Sequence, residues 1–159
     1  MAADIHIWRY QPGEEHAIWT LYFDTTHQVV ARDYTAEQVD RWAPENDDLK
    51  AWKQKLARTK PLVAIIEDQI VGFAELEDDG HIDTFYGHYR WQRQGVGTAL
   101  LEAVEAEAKR AGIEVLFAEV STTAVAFFLA KGFEVTEERA SRVCGTPAKQ
   151  YMMRKQLGA

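Results

Sequence analysis

Seven apolar residues, Val96, Ala99, Leu100, Ala103, Val104, Ala108 and Ala111, recur at helical spacing, with Glu102, Glu105, Lys109 and Arg110 off the stripe. Gly112 stands where a C-terminal cap belongs. A helix this one-sided must cover another apolar layer, and the residues before it supply one. Residues 62–67 and 70–76 flank Asp68-Gln69 and read as a hairpin. Residues 82–88 follow a second turn at Asp78-Asp79-Gly80, which gives three antiparallel strands. Downstream come a buried strand at 115–120, a helix at 124–131 ended by Gly132, and two short closing strands at 133–135 and 150–153. Upstream, Ile5, Ile7 and Trp8 make a strand closed by Pro12-Gly13, and Ile18, Leu21, Tyr22 and Val29 a helix. Thr35-x-x-Gln38 is a capping box opening a short helix through Val39 and Trp42, stopped by Pro44. Leu49, Trp52 and Leu56 make another amphipathic stretch. An antiparallel meander followed by strand–helix–strand predicts a mixed α/β sheet covered by helices.

The 159 residues suit one domain over 1–159, and the 47% hydrophobic content suffices for one core. Asp and Glu number 25 against 18 Lys and Arg, a net charge of -7 that argues against nucleic-acid binding and membrane-surface docking. Cys144 is the sole cysteine, so no intramolecular disulfide or Cys-x-x-Cys pair can form, which fits a reducing compartment. The amino terminus lacks a basic head and apolar stretch, and the expected location is the cytoplasm. His6, His16 and His27 are scattered without metal-ligand spacing, and no metal is expected.

Gln92-Arg93-Gln94-Gly95-Val96-Gly97-Thr98 joins a strand to the strongest helix. Backbone N–H groups at that helix start lack intrahelical partners and can face an anion. A dinucleotide fingerprint needs a third Gly or Ala where Leu100 stands and a βαβ start, which the antiparallel strands contradict. A Walker lysine is absent as well.

The strand, Gln92-x-x-Gly95-x-Gly97, the long helix and Ala124-x-x-Phe127-Phe128-x-x-x-Gly132-Phe133 together resemble the GNAT N-acetyltransferase superfamily. The resemblance spans about residues 62–157. It implies a central, mostly antiparallel sheet of six to seven strands, splayed between the fourth and fifth, with helices on both faces. It implies acetyl-CoA as acyl donor, its pyrophosphate held by Arg93, Gln94, Gly95, Val96, Gly97 and Thr98, with Arg90 and Arg93 adding charge. The pantetheine arm would pair with the strand at Phe85, Tyr86, Gly87 and His88 like an added strand. A main-chain N–H near Phe85 or Tyr86 would polarise the thioester carbonyl. Phe128 replaces the tyrosine that many members use to protonate the departing sulfur, and the Phe-Phe pair, with Ser121 in place of Asn, resembles a bacterial branch. Phe128 then packs against the cofactor arm. The implied reaction is direct attack of an amine on the thioester in a ternary complex, with a small-molecule or peptide acceptor and a monomer or homodimer as the working form. The competing function is a non-catalytic acyl-CoA-binding module.

An attacking ammonium must lose a proton, so a carboxylate or histidine is needed nearby. With the turn at Asp78-Asp79-Gly80, Glu77 faces His81 and Glu75 faces Asp83, all on one face by the period of two. Opposed like charges raise one carboxylate's pKa toward a working range. His81, Asp83 and Glu75 are therefore the candidate bases. Trp42 and Trp52 stand on the N-terminal helices that such proteins use for the acceptor.

Overall fold

The computed structural model describes residues 4–28, 35–37, 49–88, 95–143 and 146–158. Strands β1 (His6–Arg9), β2 (Leu62–Ile66), β3 (Gln69–Leu76) and β4 (Ile82–Gly87) pair in that order as an antiparallel sheet. Strands β5 (Val115–Ser121), β6 (Glu134–Val143) and β7 (Thr146–Gln156) form a second antiparallel ladder in the order β5-β7-β6. The two ladders meet at one parallel bridge, His81 to Phe117, where Phe117 N–H donates to Gly80 C=O at 3.1 Å. The expected splay between the fourth and fifth strands is this divergence.

Helix α3 (Val96–Arg110) is the helix the stripe predicts; it buries Val96, Leu100, Leu101, Val104 and Ala108. They pack on Ala64, Ala74 and Ile82 of one ladder and on Leu116, Ala118 and Met153 of the other, so α3 spans both. It ends with Gly112 N–H bonded to Lys109 C=O and Ile113 N–H to Ala108 C=O, satisfying carbonyls that the last turn leaves over. On the opposite face α1 (Glu15–Gln28) and α2 (Leu49–Thr59) bury Ile18, Leu21, Trp52 and Leu56 against Val63, Ile65 and Phe73. A short α4 (Val125–Ala130) follows a 3-10 turn at Thr122–Ala124. Among the described residues no helix is long and apolar enough to cross a membrane.

Three readings of the sequence need correction. The β2–β3 turn centres on Glu67 and Asp68, one residue earlier than Asp68-Gln69. Both central residues have positive φ, 50° and 63°, which matches the twist of the flanking strands. Strands β6 and β7 run far beyond 133–135 and 150–153. Their extension is polar: Glu137, Glu138 and Arg139 lie on an exposed edge strand, so hydrophobic alternation cannot reveal it. The register of β3 on β4 slips between Glu75 and Leu76, so Glu75 opposes Thr84 and not Asp83, which is left as the extra residue of a bulge. Most of the helix expected from the Thr35 capping box through Trp42 lies outside the described residues, as does Cys144.

Gly72 lets α3 approach β3. A Cβ there would stand 2.8 Å from Leu100 Cδ1, 2.9 Å from Val96 Cγ1 and 3.0 Å from Tyr86 C=O. Gly72→Ala is expected to destabilise the fold by about 1–3 kcal/mol through overpacking, read as a lower urea midpoint with an unchanged m-value.

Candidate functional site

Which backbone groups of β4 face the gap follows from one hydrogen bond. His88 N–H donates to Val71 C=O at 2.7 Å, so His88 points toward β3. By the alternation of an antiparallel ladder Gly87 points away, Tyr86 toward β3, and Phe85 away again. Phe85 and Gly87 thus turn their main-chain groups to the side where β5 has diverged, and Phe85, rather than Tyr86, offers an N–H there. The cleft between the strands is lined by Asp83, Phe85 and Tyr86 from β4, Glu119 and Ser121 from β5, and Phe128 from α4.

Phe128 is buried, edge-on to Phe85 at 5.4 Å and to Phe133 at 5.0 Å. It closes the cleft with hydrocarbon and has no proton to give. Gly87 and His88 lie farther along, where α1 holds the strand: Thr25 Oγ1 donates to Gly87 C=O at 3.3 Å, and His88 Nε2 lies 3.6 Å from Asp24 Oδ2. A Cβ on Gly87 would lie 3.7 Å from Val96 Cγ1, so the end of β4 lies beside the start of α3. There Gly95 caps the helix in the left-handed region (φ 89°) without a side-chain bond. Ala99 N–H makes the first intrahelical bond, to Gly95 C=O at 2.9 Å. The N–H groups of Val96, Gly97 and Thr98 therefore have no partner within the helix, as an anion cradle requires. Gly97 has a second reason to be glycine: its Cβ would lie 3.0 Å from the Phe127 ring, so α3 packs on α4 there. Arg93 and Gln94, with Arg90, lie outside the described residues.

The titratable groups sit at the other end, near the fork. The Glu75 carboxylate is 2% exposed, accepts from Thr84 Oγ1 at 2.7 Å and lies 3.5 Å from Lys55 Nζ. The same ammonium is 3.8 Å from Asp83 Oδ2, so α2 supplies one cation to two carboxylates. His81 stacks on Phe117 at 5.1 Å. Its Nδ1 bonds Glu77 Oε1 and its Nε2 bonds Glu119 Oε2. Burial pulls the His81 pKa down, but hydrogen bonds to Glu77 and Glu119 and the charge of both raise it above the ordinary 6.5. When protonated the ring donates from both nitrogens, and in either state both nitrogens are already engaged by carboxylates.

Glu77, His81 and Asp83 each bring one ligand-type atom within 4.8 Å of the others, and both ring nitrogens of His81 are bonded to carboxylates. The structure thus gathers Asp83, Phe85, Tyr86, Ser121 and Phe128 at the cleft, with Glu75 behind Asp83 and His81 at the apex. Glu119 and Lys55 were missed. Glu119 was visible: with Leu116, Ala118 and Val120 inward, it shares the opposite face of β5 with Ser121. Lys55 carried no such signal.

A raised histidine pKa is a stability statement with a definite sign. The clamp stabilises the fold fully below the unfolded pKa near 6.5 and loses that contribution as pH rises through the higher folded value. Urea titrations at several pH values should show His81→Gln destabilised most below pH 6.5, with the gap to wild type narrowing in alkaline buffer. A gap that widens with pH would contradict the clamp.

Similarity to known proteins agrees with this architecture. A solved structure from Rhodopseudomonas palustris, described as a GCN5-related N-acetyltransferase, is 28% identical and superposes with a TM-score of 0.92 over 99% of each chain. The uncharacterized N-acetyltransferase YafP of Escherichia coli K12 is 29% identical over 152 residues, 95% of each chain. The PaiA N-acetyltransferase of Thermoplasma acidophilum, solved in complex with coenzyme A, is 18% identical and shares the fold, with a TM-score of 0.79 over 97% of this chain and 99% of its own. The acetyltransferase (GNAT) domain model matches residues 30–154, and with that match the chain belongs to the GNAT acetyltransferase family.

Proposed function

We propose that the protein transfers an acetyl group from acetyl-CoA to the amine of a small molecule or peptide, by direct attack in a ternary complex, within a single domain over 1–159 in the cytoplasm. The observation that carries this reading is a pair of donor sets: the main-chain groups of Phe85, turned away from β3, and the three N–H groups at the start of α3 that have no partner within the helix. An extended arm ending in a pyrophosphate fits those donors. A fold relative that holds coenzyme A agrees with it.

The residues divide the chemistry. Val96, Gly97 and Thr98, with Arg93 and Gln94, hold the pyrophosphate. Tyr86, Gly87, His88, Ser121 and Phe128 border the arm. Phe85 N–H takes up charge developing on the thioester oxygen. Asp83 receives the proton of the attacking nitrogen, which becomes strongly acidic as the N–C bond forms. Glu75 shares Lys55 with Asp83, and His81 holds the fork. Because a thiol of pKa about 8.5 leaves tolerably as thiolate, a hydrocarbon at Phe128 does not prevent the departure of CoA.

Calorimetry with acetyl-CoA, beside CoA release with a panel of amines, tests the reading. Tight binding with turnover supports it, binding with no amine accepted leaves a non-catalytic acyl-CoA module, and no binding removes it. With an accepted amine, Asp83→Asn should lower kcat/KM by roughly 10²–10⁴-fold near neutrality and leave acetyl-CoA affinity intact. Glu75→Gln should act more weakly, since it reaches Asp83 only through Lys55.

A further inference from the structure

The cleft's catalytic end is unevenly charged. Glu75, Glu77, Asp83 and Glu119 are four acids set against two basic side chains, Lys55 and His81. Both basic groups are already committed: Lys55 spans Glu75 and Asp83, and His81 spans Glu77 and Glu119. Glu119 differs from the other acids in one respect. It lines the cleft on the strand opposite Asp83, is 37% exposed, and is held through Oε2 alone. Its Oε1 makes no ion pair or hydrogen bond among the described residues.

Behind Tyr86, which lines the cleft, lies an aromatic layer in which Phe73 and Trp52 are buried. Tyr86 stacks on Phe73 at 5.6 Å and meets Tyr22 edge-on at 5.0 Å, while Trp52 carries the Lys55 ammonium 5.7 Å from its ring centre. The edge of this layer already holds one alkyl chain ending in a cation, that of Lys55. A fixed, half-exposed carboxylate in the cleft attracts an ammonium and repels a carboxylate. The attraction is specific because Glu119 is fixed: its bond to His81 prevents it from swinging into solvent.

We propose that Glu119 is a specificity-determining residue, fixed by His81, that selects amine acceptors carrying a second positive charge. The inference rests on the reading of the cleft as an acetyl-transfer site. It concerns only the choice of acceptor, which acetyl-CoA binding does not touch.

Three probes of matched length separate charge from size: 1,5-diaminopentane, pentylamine and 5-aminopentanoate present a distal cation, a methyl group and a carboxylate. CoA release by the full chain at saturating acetyl-CoA and low salt should give kcat/KM in that order, with at least about tenfold between the first and the last. Glu119→Gln should reduce that ratio to about twofold or less, chiefly by loss of the diamine, with acetyl-CoA affinity held. A purely structural role would depress all three probes alike. Should that variant fail to fold, the wild-type protein still decides: raising ionic strength from about 0.01 M to 0.5 M should shrink the diamine preference several-fold. An unchanged ratio in Glu119→Gln, a salt-independent ratio, or a preference for 5-aminopentanoate overturns the proposal. Acetyl-CoA binding with none of the three probes accepted overturns it while the cofactor reading stands. Absence of acetyl-CoA binding overturns both.

Discussion

The architecture depends on one contact, the bond from Phe117 N–H to Gly80 C=O beside the His81–Phe117 bridge. It is the point where two hydrogen-bonded ladders touch before parting, and the cleft lies on the divergent side. Gly80 makes the approach possible. At φ 95° it lies in the left-handed region, and a Cβ there would stand 2.2 Å from Val115 C=O, a distance no side chain tolerates. The turn residue that closes the β3–β4 hairpin therefore also sets how closely β5 can join it. Above that point α3 bridges the gap from one face, which allows the strands to separate without splitting the core.

The ionic layer at the fork resolves a conflict the fold creates. Glu75 lies on the face of β3 that α1 and α2 cover, and its Oε2 is buried with no hydrogen-bond partner among the described residues. Burying a carboxylate is costly unless charge and hydrogen bonds compensate. Thr84 and Lys55 do so at the other oxygen, and the Lys55 stem lies along α2 to reach it. The register slip then becomes useful. By displacing Asp83 from opposition with Glu75 it removes a direct like-charge pair and puts a smaller, neutral hydroxyl in its place. Asp83 is turned to the cleft instead, 41% exposed, where a carboxylate retains most of its hydration.

How far the sequence discloses this depends on the kind of signal. Apolar spacing marked α3, the meander and the buried half of β5, because those elements bury one face against a core. It could not mark the outer lengths of β6 and β7, which are polar and gain their stability from ladder bonds between backbones. The period of two placed Glu77 opposite His81 correctly, and Glu77 N–H does bond His81 C=O at 2.8 Å. One bulge then defeated it, since an extra residue shifts every pairing beyond it. Gly97 shows a subtler limit. The motif predicts a glycine facing an anion, whereas its Cβ direction points to Phe127, so two demands that share one residue look like one in the sequence. Glu119 and His81 are 38 residues apart, and their pairing exists only because two ladders meet at the fork.

The divergence also explains why the cleft is suited to an extended ligand. A strand whose outward N–H and C=O groups meet no neighbour keeps an unmet demand for hydrogen bonds, which water or an added strand must satisfy. At Phe85 that demand is directed into a slot bordered by the Phe128 ring, while the Gly87 carbonyl beyond it is already met by Thr25 Oγ1. Hydrocarbon on that border makes the slot a poor place for ordered water, while the backbone edges remain polar. Under the acetyl-transfer reading proposed above, an amide-containing chain with an anionic end would meet both conditions: its amides would pair with β4, its methylenes would cover Phe128, and its anion would reach the start of α3. Backbone geometry would then select the shape of the ligand, and side chains at the fork would decide what it reacts with.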